Sequence, residues 1–493
     1  MCMRLTMRVG ILAALAFAAG AASAQETVRF PPVTLFKNVK VFDGVGEKLR
    51  DVDVLVVGNK IQTVAADIPE TGTYKLDADT GFYREVIPQI GADYREGYTV
   101  LRENPRGKKE TVQAPVTVID GGGRTLMPGI IGGHEHVGLP VPPGELARPD
   151  YDWQYLAAAS AAGAKFYLDH GWTTLREAGG PSEGLRRAID KGLIPGPRIY
   201  TAMQYISQTS GHGDMRSGYA APHPNELPVQ PWHNQEYFRL ADGVPEVRRA
   251  VRESLRRGAV HIKVMAGGGI SSQYDPLHTK QFSLEEMKAA VAAASDWGTY
   301  VMVHAYTDET VRRAIKAGVK VIENGQMITE ETAKLMAEKG IWLSIQIAFL
   351  GEEPTPEQIA LFGEVTAAKF RLVRQGVATA IGYASKYGVK IAFGTDLFGP
   401  RLPEITKEFT YRQDYFSNVE ILRQATSING KLLKLTGPLN PYPDGPLGVI
   451  ERGAYADILL INGNPVEQLE LLTDPANIDL IMKDGELYKN NIN

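Results

Sequence analysis

Apolar residues change their period along this chain, and the change divides it. Leu35-Phe-Lys-Asn-Val-Lys-Val-Phe42 and Val52-Asp-Val-Leu-Val-Val57 follow the two-residue rhythm of half-buried strands, punctuated by Asp43-Gly44 and Gly58-Asn59. Gly448-Val-Ile-Glu-Arg-Gly453 and Ala456-Asp-Ile-Leu-Leu-Ile461 have the same character near the other end. We expect both ends to build one small antiparallel β-sandwich, from 25–127 and 437–493. Between them, solid apolar runs at 172–176, 199–202, 261–265, 300–304, 319–323, 341–345 and 389–393 join one that ends at His134, which makes eight. Ala-rich stretches such as 284–297 and 308–317 separate successive runs with a helical period. Strands alternating with helices predict an α/β chain whose 128–436 portion is a (β/α)8 TIM-like barrel. Residues 71–113, rich in Tyr, Asp, Arg and Gly, fit neither rhythm and read as an insertion without an assignable role.

Composition narrows this picture. With 44% hydrophobic and 22% charged residues, 493 residues supply a large core and are neither disordered nor membrane-like. Arg4 and Arg8, the apolar stretch from Val9 to Ala21 and Ala22-Ser23-Ala24 follow the three-part plan of a secretory signal, so 1–24 is expected to be cleaved and the mature chain to be periplasmic or secreted. That stretch is too short to span a bilayer, which argues against stable membrane anchoring after cleavage. Cys2, the single cysteine, leaves with the leader, so a metal site must use His, carboxylate or a modified residue. Loss of Arg4 and Arg8 takes the formal charge from −4 to −6, which argues against nucleic acid as a partner.

Candidate chemistry gathers where apolar runs end. His134-Glu135-His136 closes the first, and residues two apart in a strand share a face, so two imidazoles can converge on one ion. An H-x-H pair alone is a weak signal. In a (β/α)8 barrel the C-terminal strand ends carry the chemistry, which adds Lys263, His304, Glu323-Asn324 and Asp396 to the set. Lys263 alone would more often be a solvated cation.

Several ordered motifs carry a family resemblance: Met127-Pro-Gly-Ile-Ile-Gly-Gly-His-Glu-His136, Gly171-Trp-Thr-Thr-Leu-Arg-Glu177, Ile206-Ser-Gln-Thr-Ser-Gly-His-Gly-Asp214, Ile262-Lys-Val-Met-Ala-Gly-Gly-Gly269, Val303-His-Ala-Tyr-Thr307, Phe393-Gly-Thr-Asp396 and Gly453-Ala-Tyr-Ala-Asp-Ile-Leu459. On these the mature chain resembles the amidohydrolase superfamily, in the branch of imidazolonepropionase-like enzymes, secreted prolidases and ochratoxin-hydrolysing amidases. The resemblance implies one divalent ion on His134, His136 and Asp396, and a second on His304 and a carboxylated Lys263 that bridges the two. Zn²⁺ is the first expectation, with Mn²⁺ or Co²⁺ as alternatives. It also implies Asp396 as the proton-transfer group and His212 as a substrate or oxyanion contact, while Tyr306 shares His304's strand face and is either a substrate contact or aromatic packing.

One position departs from the pattern. Where the family has Ile-Glu-His-Gly, this chain has Ile322-Glu323-Asn324-Gly325. Asn324 either ligates through its oxygen, leaves the second metal site weak or empty, or marks lost activity; His261, two residues from Lys263, is a minor candidate for the vacant position. The expected activity is hydrolysis of amide bonds in Xaa-Pro or other dipeptides and N-acyl amino acids, including ochratoxin-like aromatic amides, by a homo-oligomer. Hydrolysis of a carbamate, urea, lactone or cyclic amide is the alternative, and a non-catalytic binding protein is the reading from another class. Gly267-Gly-Gly269 lacks the residues of a phosphate loop and marks a close approach or a sharp turn. The other histidines, His170, His223, His233 and His278, read as structural or surface residues.

Overall fold

The structure is a computed structural model that describes residues 32–70, 72–76, 83–85, 98–103, 109–114, 116–146, 151–216, 236–272 and 274–492. The expected leader, His223 and His233 lie outside the described residues.

Both chain ends contribute to a two-sheet unit. One sheet runs in the order Val116–Asp120, Val33–Lys37, Asp53–Val57, Lys60–Ala65, and the other in the order Glu486–Asn490, Ile478–Lys483, Ile458–Ile461, Thr125–Pro128, Lys40–Val41, Arg50–Asp51. The alternation read from sequence has a physical outcome: Phe36, Val54 and Val56 enter one buried cluster, with Ile458, Leu460 and Leu480, while Leu35, Leu55 and Val57 enter another. The sheets are mixed, which corrects the antiparallel expectation. Val33–Lys37 pairs in parallel with Val116–Asp120, because a long excursion separates them and gives the chain room to return in the same direction. That excursion is the expected insertion, and its described strands form a four-stranded sheet in the order Tyr83–Glu85, Gly72–Leu76, Tyr98–Glu103, Lys109–Ala114.

The (β/α)8 core is a set of parallel strands wrapped by helices. Ile130–Glu135, Trp172–Glu177 and Arg198–Tyr200 form one ladder; the second runs in the order Phe238–Leu240, Tyr205–Ser207, Ile262–Met265, Val301–Thr307, Val321–Met327, Trp342–Ser344, Ile391–Ala392. The ring does not close as one ladder, and the third strand differs from expectation. It is split into Arg198–Tyr200 and Tyr205–Ser207, with Met203 between them at φ +60°. At the first-to-last junction Asn429 acts as a staple. Its Nδ2 donates to Ile131 O at 2.6 Å and Phe393 O at 2.7 Å, and Phe393 N donates to its Oδ1. Gly133 N also donates to Phe393 O across that seam, at 2.7 Å.

The wrapping helices start where sequence says they should. Ser283 and Glu286 form a capping box ahead of Leu284–Ser295, two residues shorter than expected because Gly298 turns the chain at φ +75°. Glu364–Tyr387 is amphipathic and buries Phe370, Val373, Val377 and Ile381. No helix among the described residues is long and apolar enough to cross a membrane.

Candidate metal centre and cleft

Strand geometry brings His134 and His136 to the barrel rim as the period-two argument requires, with ring centroids 5.2 Å apart. The turn after the last strand places Asp396 opposite, in the left-handed region at φ +57°, where Asp is among the residues that tolerate it. Asp396 Oδ1 lies 3.2 Å from His134 Nε2 and 3.0 Å from His136 Nε2. One ligand atom from each of the three falls within 4.8 Å of the others.

The far sides of both rings are held. His134 Nδ1 donates to Glu323 Oε2 at 2.7 Å, and Glu323 Oε1 accepts from Arg176 Nη2 at 2.6 Å. His136 Nδ1 donates to Gly179 O at 3.2 Å, with Glu177 Oε1 3.7 Å away. Fixing Nδ1 as the donor leaves each Nε2 lone pair aimed at the same spot, which is how proteins prepare imidazole for a metal.

Electrostatics agree with a cation site. Burial by itself would lower the His136 imidazolium, but its contacts with Asp396 and Glu177 raise it to about 9. Burial would likewise raise Asp396, yet the two imidazoles hold it well below the usual carboxylate range. Asp396 and Glu177 thus favour positive charge beside the two rings, which a divalent ion would supply in place of a proton. The donor set, two imidazoles and a carboxylate, suits Zn²⁺ and similar ions.

The three residues open into a cleft. Lys263, His304, Asn324, His212 and Tyr306 line the same cleft, so all eight site residues expected from sequence converge there. Lys263 is 2% exposed, and burial pushes its amine down. Tyr306 packs edge-on to His304 with centroids 4.7 Å apart, and it too lines the cleft. Apolar side chains complete the lining: Leu139, Phe238, Met265, Phe349 and Phe398, with Tyr205 and Phe398 beside His136.

His212 stacks on His304 with centroids 4.2 Å apart. Its Nδ1 lies 2.6 Å from Ser272 Oγ and 3.4 Å from Asp275 Oδ2. Asp275 also accepts from Gly269 N at 2.8 Å, and Lys369 Nζ donates to the carbonyls of Gly269, Ser272 and Asp275 at 3.0, 2.9 and 2.8 Å. The glycines now have a reason: a Cβ on Gly269 would come within 1.8 Å of the His212 ring.

His261 does not fill the vacant ligand position. It stacks on Tyr300 and Nε2 donates to Glu177 O at 2.9 Å, away from the cleft lining, and burial lowers it to about 3. Sequence reasoning assigned no role to Arg176, Glu177, Gln346, Asp275 and Lys369. Arg176 and Glu177 were visible as charges inside an apolar run, Trp172–Glu177, that is wholly buried; the others carry no local signal.

Fold and site together define a parallel-barrel protein with a metal-type centre at its strand ends. A model of the amidohydrolase family matches residues 125–488. The ochratoxinase of Aspergillus niger is 32% identical over 394 residues, which cover 74% of this chain and 75% of that protein. Among solved structures, a prolidase complexed with N-methylphosphonate-L-proline is 30% identical with a TM-score of 0.76, and a Xaa-Pro dipeptidase with bound methionine is 28% identical with a TM-score of 0.72. Each alignment covers 93% of this chain and 100% of the other. The chain belongs to the amidohydrolase family and is a hydrolase acting on amide bonds. Its relatives are generally metal-dependent, in keeping with the His134, His136 and Asp396 group.

Proposed function

We propose that this protein hydrolyses the amide bond of dipeptides, Xaa-Pro among them, and of N-acyl amino acids with apolar or aromatic groups, in a Zn²⁺-dependent reaction. The observation that carries this is the pair of Nε2 atoms and the Asp396 carboxylate converging at the rim of a cleft with an apolar wall. The similarity to ochratoxinase and to proline-dipeptide enzymes supports the substrate class.

His134, His136 and Asp396 would hold the ion. Bound there, a divalent cation lowers the pKa of a water toward neutrality and polarises a carbonyl. Asp396 is the proton carrier: it is ionised, faces the cleft, and takes the proton of the attacking water. As the water oxygen bonds to the carbonyl carbon and the C–N bond breaks, Asp396 returns that proton to the leaving nitrogen. His212, with Nδ1 committed to Ser272, turns its Nε2 edge toward substrate, and Tyr306 offers a hydroxyl from the same wall as His304. Leu139, Phe238, Phe349 and Phe398 receive the apolar side chain and exclude water from it.

The test is release of free amino acid from a panel of Xaa-Pro dipeptides and N-acyl amino acids by protein loaded with Zn²⁺, Mn²⁺ or Co²⁺, before and after chelator dialysis. Turnover that disappears with the metal and returns with it is expected. Absence of turnover across the panel with every metal, or turnover indifferent to metal removal, would sink the reading.

A further inference from the structure

Beside the imidazole and carboxylate group, residues lining the cleft are joined by hydrogen bonds within the protein. Asn324 is 2% exposed, and both hydrogens and the oxygen of its amide have partners. Nδ2 donates to Asp396 Oδ2 at 3.0 Å and to Gln346 Oε1 at 3.0 Å, while Oδ1 lies 2.8 Å from His304 Nδ1. A carboxylate only accepts, so the amide NH2 must face Asp396 and the amide oxygen must face His304. His304 Nδ1 is therefore the donor in that contact and offers no lone pair on the Asn324 side; the neutral ring keeps its lone pair on Nε2, which lies 3.4 Å from Gly268 O.

The backbone supports this placement. Asn324 sits at φ +77° and Gly325 at φ +68°, and the register of Val301–Thr307 against Val321–Met327 shifts beyond Ala305 and Asn324. The bulge swings the amide toward Asp396, and Asn is among the residues that accept left-handed backbone. A second ion between Lys263, His304 and Asn324 would meet an N–H on the imidazole and an amide whose NH2 is turned to Asp396. These residues do not fit a second ion.

We propose that this chain holds one divalent ion, on His134, His136 and Asp396, and that Asn324 bridges His304 to Asp396 where relatives with a histidine would seat another cation. Asn324 is then a positioning residue, fixing Asp396 Oδ2 so that Oδ1 stays with the imidazoles. Without a second ion, a carbamate on Lys263 has nothing to bridge. The proposal rests on the functional reading above.

The deciding measurement is Zn²⁺ per chain by elemental analysis and calorimetric titration of the mature protein, beside Asn324→Ala and Asn324→His. One ion is expected in the native protein. Asn324→Ala should keep one ion and lose about tenfold or more in kcat, with KM changed far less. Asn324→His, by restoring an imidazole, should take up two. Two ions in the native protein, loss of the ion in Asn324→Ala, or one ion in a folded Asn324→His would each overturn the inference while leaving the hydrolase reading intact. No ion in the native protein would overturn both. Should Asn324→His fail to fold, the native count and Asn324→Ala decide.

Discussion

Arg176 and Glu323 form an ion pair at 2.6 Å with both side chains fully buried, and the second oxygen of Glu323 accepts from His134 Nδ1. Burial opposes ionisation of Glu323, but Arg176 and His134 overcome it and hold the carboxyl far below its usual range. The pair thus ties core stability to ligand orientation. Glu323→Gln leaves the Arg176 charge unpaired, and the expected loss is about 3–5 kcal/mol in urea unfolding. Metal affinity should fall about 10–100-fold by titration, because the His134 ring loses its anchor.

In the proposed mechanism Asp396 has two duties, ligand and proton carrier. Asp396→Asn keeps the shape but removes the charge and the basic oxygen. The expected fall in kcat is at least about 100-fold, with weaker Zn²⁺ binding and an unchanged far-UV circular dichroism spectrum. Activity within a factor of a few of native would remove Asp396 from the mechanism.

Gly269 needs space rather than an unusual φ. The Cβ of alanine would enter the volume of a His212 ring that Ser272 and Asp275 hold in place. Gly269→Ala should therefore lower kcat/KM about tenfold or more while changing the metal content little. Steady-state kinetics beside elemental analysis separates the two effects.

Asp275 gives the loop over His212 a pH signature. Burial pushes its carboxyl up, but hydrogen bonds from His212, Ser272 and the Gly269 amide overcome this and set it at about 2. Since the folded value lies below the unfolded one, the stabilisation is present above about pH 4 and is lost as pH falls toward 2. It amounts to roughly 2 kcal/mol. Thermal unfolding followed from pH 6 to pH 2.5 should show a loss in native protein that is smaller in Asp275→Asn.

Much of this was legible in sequence because it is local. The His134 and His136 pair and the His304 and Tyr306 pair follow from strand period, and Asp308–Ala317 falls where the helical pattern put it. The split third strand was not legible, since a non-glycine residue at positive φ leaves no compositional mark. The parallel pairing of Val33–Lys37 with Val116–Asp120 joins segments about 80 residues apart, which no window can see.

The sequence by itself determined the polar side chains at the strand ends, because alternation along a strand is built into the backbone and the ends of eight apolar runs must meet at one rim. Only the tertiary structure decided what those side chains touch. Glu323 is 189 positions from His134, Ser272 is 60 from His212, and Asn324 is 72 from Asp396. Asn324 shows the division most clearly. Its identity was plain from the chain, but that its amide faces Asp396 rather than open space depends on a bulge and on neighbours from three other strand ends.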